Sequence, residues 1–379
     1  MAFSDANSVT IRYATEGSWG ATVATPAVTQ LRVLNESFSH AKETIVSNEI
    51  DSGRQRTALL EVADSAAGGF GFELIYGEYE TFLEQALRGT ISSATVTMTS
   101  TVVVAASTIT GPSGTDFVAN FAVGQWVKVK TTDDIVKISA LTSTLMTIVG
   151  TTLTASSYSS AAITGRTLTN STTKTSFFIE TDFGSVNAIK YQTGMRVNTA
   201  NLTVAAQQIV TGTFEFVGKQ GFTASTTVAS SVVTSAGTNT PMTSAANVSR
   251  ILHNDSVIQS SINSFSVDIS NNMSPRPTVG SKFSSEPVDG GLDVTGNINL
   301  FFDRIDFYDD LINHTSFSLD YVFLDADGNA VVVSLPEIKG TTGDPLAGGK
   351  DEDVFLSLDF QAIKDPTLAY TIRIDFLPT

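Results

Sequence analysis

The sequence predicts an all-β chain with two short helices, made of duplicated β-sandwich units with a small β domain inserted in the first. Three observations carry this. Segments of alternating Val, Ile, Thr and Phe, broken by clusters of Gly, Asn, Asp and Ser, dominate the chain. Only YETFLEQALRG and FYDDLINHT have helical spacing. And TSFFIETDF, Thr175 to Phe183, returns as TSFSLDYVF, Thr315 to Phe323.

The elements follow in order. Residues 1–30 read as an N-terminal arm; MAFSDANSVTIRYATEG lacks the basic start and apolar centre of a secretory signal. The first unit is expected over 31–91 and 175–221. LRVLNESF does not alternate cleanly and is left open. A loop of about thirty residues, Ser39 to Gly68, contains SNEIDSGRQR and is far longer than an ordinary hairpin connection. Glu49, Asp51, Arg54 and Arg56 lie close together in it. Such a loop is either a contact to another subunit or a disordered surface segment. GGFGFELIYG then leads to a helix with Tyr79, Phe82, Leu83, Ala86 and Leu87 on one face and Gly89 as its stop.

Residues 92–174 separate this helix from its TSF strand and read as an inserted β domain, with FAVGQWVKVK as its clearest strand pair and Trp126 in its core. After the TSF strand come NAIKY, from Asn187, and a closing hairpin of MRVNTANLTVA with VTGTFEFVG. Residues 222–261 are Ser/Thr/Ala-rich and read as a linker. The second unit, 262–379, repeats the order: SFSVDIS, a loop of about twenty residues, VTGNINLFF, the helix with Phe307, Tyr308, Leu311 and Ile312, the TSF strand, NAVVV from Asn329, and a closing hairpin of VFLSLDFQAI with YTIRIDF. Five elements in the same order indicate an internal duplication; the plainer alternative is that all-β chains reuse similar strands.

Alternation assigns faces. Glu73, Thr213, Glu215, Ser266, Asp268, Asn297, Asn299, Ser357, Asp359 and Asp375 all oppose apolar neighbours on their strands. They form either the solvated outer face of a sandwich or the lining of something wet that repels polyanions.

Composition narrows the function. The 379 residues carry a net charge of −16 with a pI near 4.5 and a mean hydropathy of +0.11. That argues against gripping nucleic-acid phosphates, which needs clustered Lys and Arg. There is no cysteine, hence no disulfide or thiolate chemistry, and no apolar run is long enough to cross a bilayer. His40, His253 and His314 lie far apart with no metal spacing. No nucleophile elbow, P-loop or zinc-protease motif occurs. DADGN, Asp325 to Asn329, mimics the start of a calcium loop but lacks the downstream Glu and reads as a hairpin turn. Carboxylates abound, yet no pair is marked out for glycoside hydrolysis. The chain is therefore read as no enzyme, without cofactor or metal.

YATEGSWGAT, SNEIDSGRQR, GGFGFELIYGEYETFLEQAL, SFSVDISNNMSPRPTVGS, the VTGNINLFF strand and DADGN with SLPEI together resemble the tail tube proteins of long-tailed bacteriophages. The match covers most of both units and leaves out the insert; the order of the motifs carries it. The resemblance implies β-sandwiches whose inner sheets join into a closed β-barrel ring, with rings stacked into an acidic-lined tube that DNA traverses during ejection without specific binding. It implies that the ten polar residues line the lumen. It also implies that the long loop, with Glu49, Asp51, Arg54 and Arg56, bridges rings. The partners it implies are the chain itself and tape measure, tail tip and tail terminator proteins, in a virion assembled in the host cytoplasm. Two units per chain favour trimeric pseudo-sixfold rings, with hexameric rings as the alternative. A secreted adhesin or carbohydrate-binding β-sandwich is the competing reading; the Ser/Thr-rich strands favour it and the missing signal opposes it.

Overall fold

The structure, a computed structural model, describes residues 5–21, 25–186, 188–227, 232–258 and 262–379. It is 52 % strand and 6 % helix. Asn187, expected to open a strand, lies outside the described residues.

Eight strands form one long antiparallel sheet. In spatial order they are Ser39–Val46, Leu59–Glu73, Thr211–Gly218, the far half of Ile189–Ala205, Ile262–Ser270, Asp293–Phe301, Phe355–Ala362 and the far half of Ala330–Thr342. The first four belong to the first unit and the last four to the second, so the two units share a sheet inside a single chain.

Each unit covers its half of this sheet with a second, shorter sheet. In the first, Thr10–Thr15 pairs with Phe177–Asp182, which pairs with the near half of Ile189–Ala205, which pairs with Gln220–Ala224. In the second, Val248–His253, Phe317–Leu324, the near half of Ala330–Thr342 and Arg373–Leu377 pair in the same way. The long strands Ile189–Ala205 and Ala330–Thr342 therefore pass from the short sheet into the long one, each through an irregularity at the crossing. The short strands Thr10–Thr15 and Val248–His253 lie in stretches expected to be arm and linker. They could not be recognised singly, since each acquires its place only by pairing with a TSF strand.

Two corrections concern the second unit. VFLSLDFQAI pairs not with YTIRIDF but with Asp293–Phe301 and the far half of Ala330–Thr342. Arg373–Leu377 sits in the short sheet instead. Two strands that alternate equally well can be told apart only by their partners.

The helices Glu80–Ala86 and Asp306–Ile312 lie between the layers. Phe82 packs on Tyr13, Phe70, Phe177 and Phe214, and Phe307 on Phe317 and His253. Each helix ends at a residue in the left-handed region, Arg88 at φ 52° and His314 at φ 51°. The stop is thus Arg88; Gly89 serves close approach, because a Cβ there would sit 2.3 Å from the Thr169 carbonyl oxygen. A third helical turn, Ser244–Asn247, was too short to show a period; Thr243 caps it by accepting the Ala246 N–H. One apolar core runs through both units.

The insert has its own core of Met98, Val102, Ile109, Phe117, Val127, Ile138, Met146 and Ile163, among others. Trp126 is not in it. On the strand Trp126–Val129, Val127 and Val129 face the insert, while Trp126 points into a separate cluster with Leu252, Val322, Val332 and Leu377 of the second unit. The strand Ala161–Thr169 also pairs with Arg373–Leu377, extending the second short sheet.

Candidate functional site

The long sheet has two unlike faces. Phe70, Phe72, Phe214, Phe216, Phe265, Val267, Ile298, Leu358 and Phe360 bury one face. On the other, strand register lines polar residues up in rows. One row is Glu73, Thr211, Thr203, Ser266, Asn297, Asp359 and Thr342. The next is Thr213, Asn201, Asp268, Thr295, Gln361 and Lys339. A third holds Glu215, Thr199, Ser270 and Asp293, and Asn299 faces Ser357 beyond the first. These rows carry five carboxylates and one cation, Lys339.

Side-chain hydrogen bonds join neighbouring strands along and between these rows. Asn201 Nδ2 donates to Asp268 Oδ1 at 2.6 Å. Asn297 Nδ2 donates to Asp359 Oδ1 at 2.7 Å and to Ser357 Oγ at 3.0 Å. Thr342 Oγ1 donates to Asp359 Oδ2 at 2.7 Å. Glu215 lies across Gly69, where a Cβ would come within 2.8 Å of its carboxyl carbon and 1.9 Å of the Phe214 carbonyl oxygen. Desolvation in that seat raises the Glu215 carboxyl above its ordinary range.

Nine of the ten residues singled out by alternation therefore share this face. Thr199, Asn201, Thr203 and Asp293 join them unanticipated, although Asn201 and Thr203 alternate with Ala200, Leu202 and Val204 in MRVNTANLTVA. Asp375 is the exception. It is fully buried and accepts the Trp126 backbone N–H at 3.0 Å. Its strand alternates as a half-exposed strand should, but the insert covers the side expected to meet water. Burial pushes its carboxyl up to about 6, against the pull of Arg373.

The expected thirty-residue loop is mostly strand. Ser39–Val46 and Leu59–Glu73 form a two-stranded arm that projects beyond the sandwich, with a connection over 47–58 at its tip. Glu49, Asp51, Arg54 and Arg56 all lie in that tip. Arg56 donates to Asn48 Oδ1 and Glu49 accepts from Thr57. Around the charges, Ile45, Ile50, Leu59, Leu60 and Val62 are exposed.

The second loop, over 271–292, folds back onto the first unit of the same chain. Asp289 receives Arg88 at 2.9 Å and Arg196 at 2.9 Å, both arginines being buried. Burial alone would raise the Asp289 carboxyl; the two guanidiniums outweigh it and hold it below its ordinary range. Lys282 reaches Glu61, which lies opposite Thr44 on the arm, at 3.0 Å.

Among the described residues no group of three or more His, Cys, Asp or Glu is arranged to hold a metal ion, and no helix is long and apolar enough to cross a membrane. DADGN forms the turn between Phe317–Leu324 and Ala330–Thr342, with Asp325 Oδ1 accepting the Asp327 and Asn329 N–H groups. The site is thus an extended surface. A family model described as phage tail tube protein matches residues 6–362. No curated protein matches the chain.

Proposed function

The chain belongs to the phage tail tube protein family, and from that premise we propose that it is the ring subunit of the tube, with three copies closing each ring around a DNA-conducting lumen. The observation that carries this is the eight-stranded sheet with one continuous acidic and hydroxyl-rich face. A wall of carboxylates repels phosphates and keeps passing DNA from adsorbing.

Strand number favours three chains over six. With strands about 4.8 Å apart and tilted about 40°, twenty-four strands close at a backbone diameter of about 45–50 Å. Inward side chains leave about 35 Å, room for a duplex about 20 Å across. Six chains would double the diameter and leave the duplex loosely held.

In this arrangement the arm tip, with its exposed apolar residues and Glu49, Asp51, Arg54 and Arg56, contacts the next ring. The insert, docked behind the short sheet, lies outside the tube. Tape measure, tail tip and terminator proteins meet the ends of the stack, which assembles in the host cytoplasm.

The mass of isolated rings tests the reading: three times the 40.1 kDa chain is expected, and a six-chain ring would refute it. Glu215→Lys combined with Asp268→Lys is expected to leave tubes intact by electron microscopy and to reduce DNA delivery. Unchanged infectivity would remove these residues from the lumen.

A further inference from the structure

We infer that the seam between the two units inside the chain is the template for the seam between chains, fixing which strands join and in which register. The inference rests on the ring reading above.

Inside the chain, Thr199 to Ala205 pairs antiparallel with Ser264 to Ser270, Thr199 lying opposite Ser270 and Thr203 opposite Ser266. Both partners have a counterpart at a bare edge of the long sheet. Ile189–Ala205 corresponds to Ala330–Thr342, since each leaves the short sheet through an irregularity at the same point. That point is Val197/Thr199 opposite Phe216 and Glu215 in one, and Gly340/Thr342 opposite Phe360 and Asp359 in the other. Thr342 thus takes the place of Thr199. Ile262–Ser270 corresponds to the stretch that runs into Ser39–Val46, since Gly68 and Gly296 hold matching places on the neighbouring strands, opposite Phe216 and Phe360, and a Cβ on either would sit 2.3 Å from a serine carbonyl oxygen, that of Ser37 or that of Ser266. Ser37 thus takes the place of Ser266, and Ala41 that of Ser270.

These counterparts stand at opposite ends of the sheet, and each pairs on one side only among the described residues. Ser39–Val46 pairs with Leu59–Glu73, and the segment 339–346 pairs with Phe355–Ala362. Both edges are exposed in the single chain: every residue of Ser39–Val46 is exposed, and Leu346 is 70 % exposed. Bare edges of this kind template strand addition. Carrying the internal register across places Thr342 of one chain opposite Ala41 of the next, and Leu346 opposite Ser37. Asp344 then falls opposite Ser39, so no carboxylate meets another across the seam. Pro345 takes the place of Leu202 and offers no N–H there, a residue that edges tolerate.

The chain has no cysteine, so introduced pairs report alone. In assembled rings, oxidation of Ala41→Cys with Thr342→Cys, and separately of Ser39→Cys with Asp344→Cys, is expected to convert most subunits to covalent dimers and closed trimers. Each single variant should stay monomeric on denaturing gels. As an internal control, Asn201→Cys with Asp268→Cys should close within one chain without raising its mass. Rings that cross-link only through Glu43→Cys with Thr342→Cys would overturn the register. Rings that cross-link through no pair would overturn the shared seam. Absence of rings from the cysteine-free chain would instead bring down the ring reading itself.

Discussion

Glu180 and Asp320 stand at the same position of the repeated TSF strand, and both are buried. Each needs a cation, because an unpaired buried carboxylate is costly. In the first unit Arg12 of Thr10–Thr15 supplies it at 2.7 Å. In the second, Lys137 of the insert supplies it at 2.8 Å, and the Trp126 indole N–H and the Ser334 hydroxyl also donate to Asp320. The repeated strand keeps the acid and changes its partner. Asp375 nearby is less well served, since its Oδ1 has no hydrogen-bond partner. Its folded pKa of about 6 lies above the ordinary 3.8, so the native state holds this proton more tightly than the unfolded chain. Stability therefore falls as pH rises from about 4 to about 6, and the penalty is full above that. Asp375→Asn is expected to raise the melting temperature at pH 8 and leave it nearly unchanged at pH 4 in scanning calorimetry. A lower value at pH 8 would mean that the charge is needed beside Arg373.

At the scale of elements, the arm and the insert do separate work. Replacing 47–58 by a two-residue turn should leave rings that no longer stack, as seen by electron microscopy; full-length tubes from this variant would take the arm out of stacking. Trp126 anchors the insert, with Arg250 over its ring at 5.3 Å and donating to the Ile135 carbonyl at 2.7 Å. Trp126→Ala should cost about 3–5 kcal/mol and open the insert to limited proteolysis; an unchanged melting temperature and digestion pattern would mean that strand pairing alone holds it. The strands of the long sheet were legible in the sequence because one face is apolar and the other polar, as Phe214 and Phe216 against Thr213 and Glu215 display. Thr10–Thr15, Val248–His253 and the role of Trp126 were not. Their places depend on contacts between segments more than sixty residues apart, and alternation says which side of a strand is apolar, not what covers the polar side. The same limit misplaced Asp375. The arm reads as a loop in the sequence because a free two-stranded ribbon buries neither face and so leaves no alternation to read.

For the whole molecule, the single core and shared sheet make the two units one folding body. Heating should give one cooperative unfolding transition by calorimetry; two resolved transitions would show that the units are independent. The same continuity bears on how a tube could be nucleated. Each body recruited to a ring gives up its translational and rotational freedom, at an estimated cost of about 4–15 kcal/mol. In the three-chain ring proposed above, a chain that already contains one of every two junctions brings half as many bodies to closure as a chain carrying a single unit. It forgoes that many entropic losses before the first ring exists. Joining two sandwiches on one polypeptide has, in effect, moved half of the assembly problem into folding.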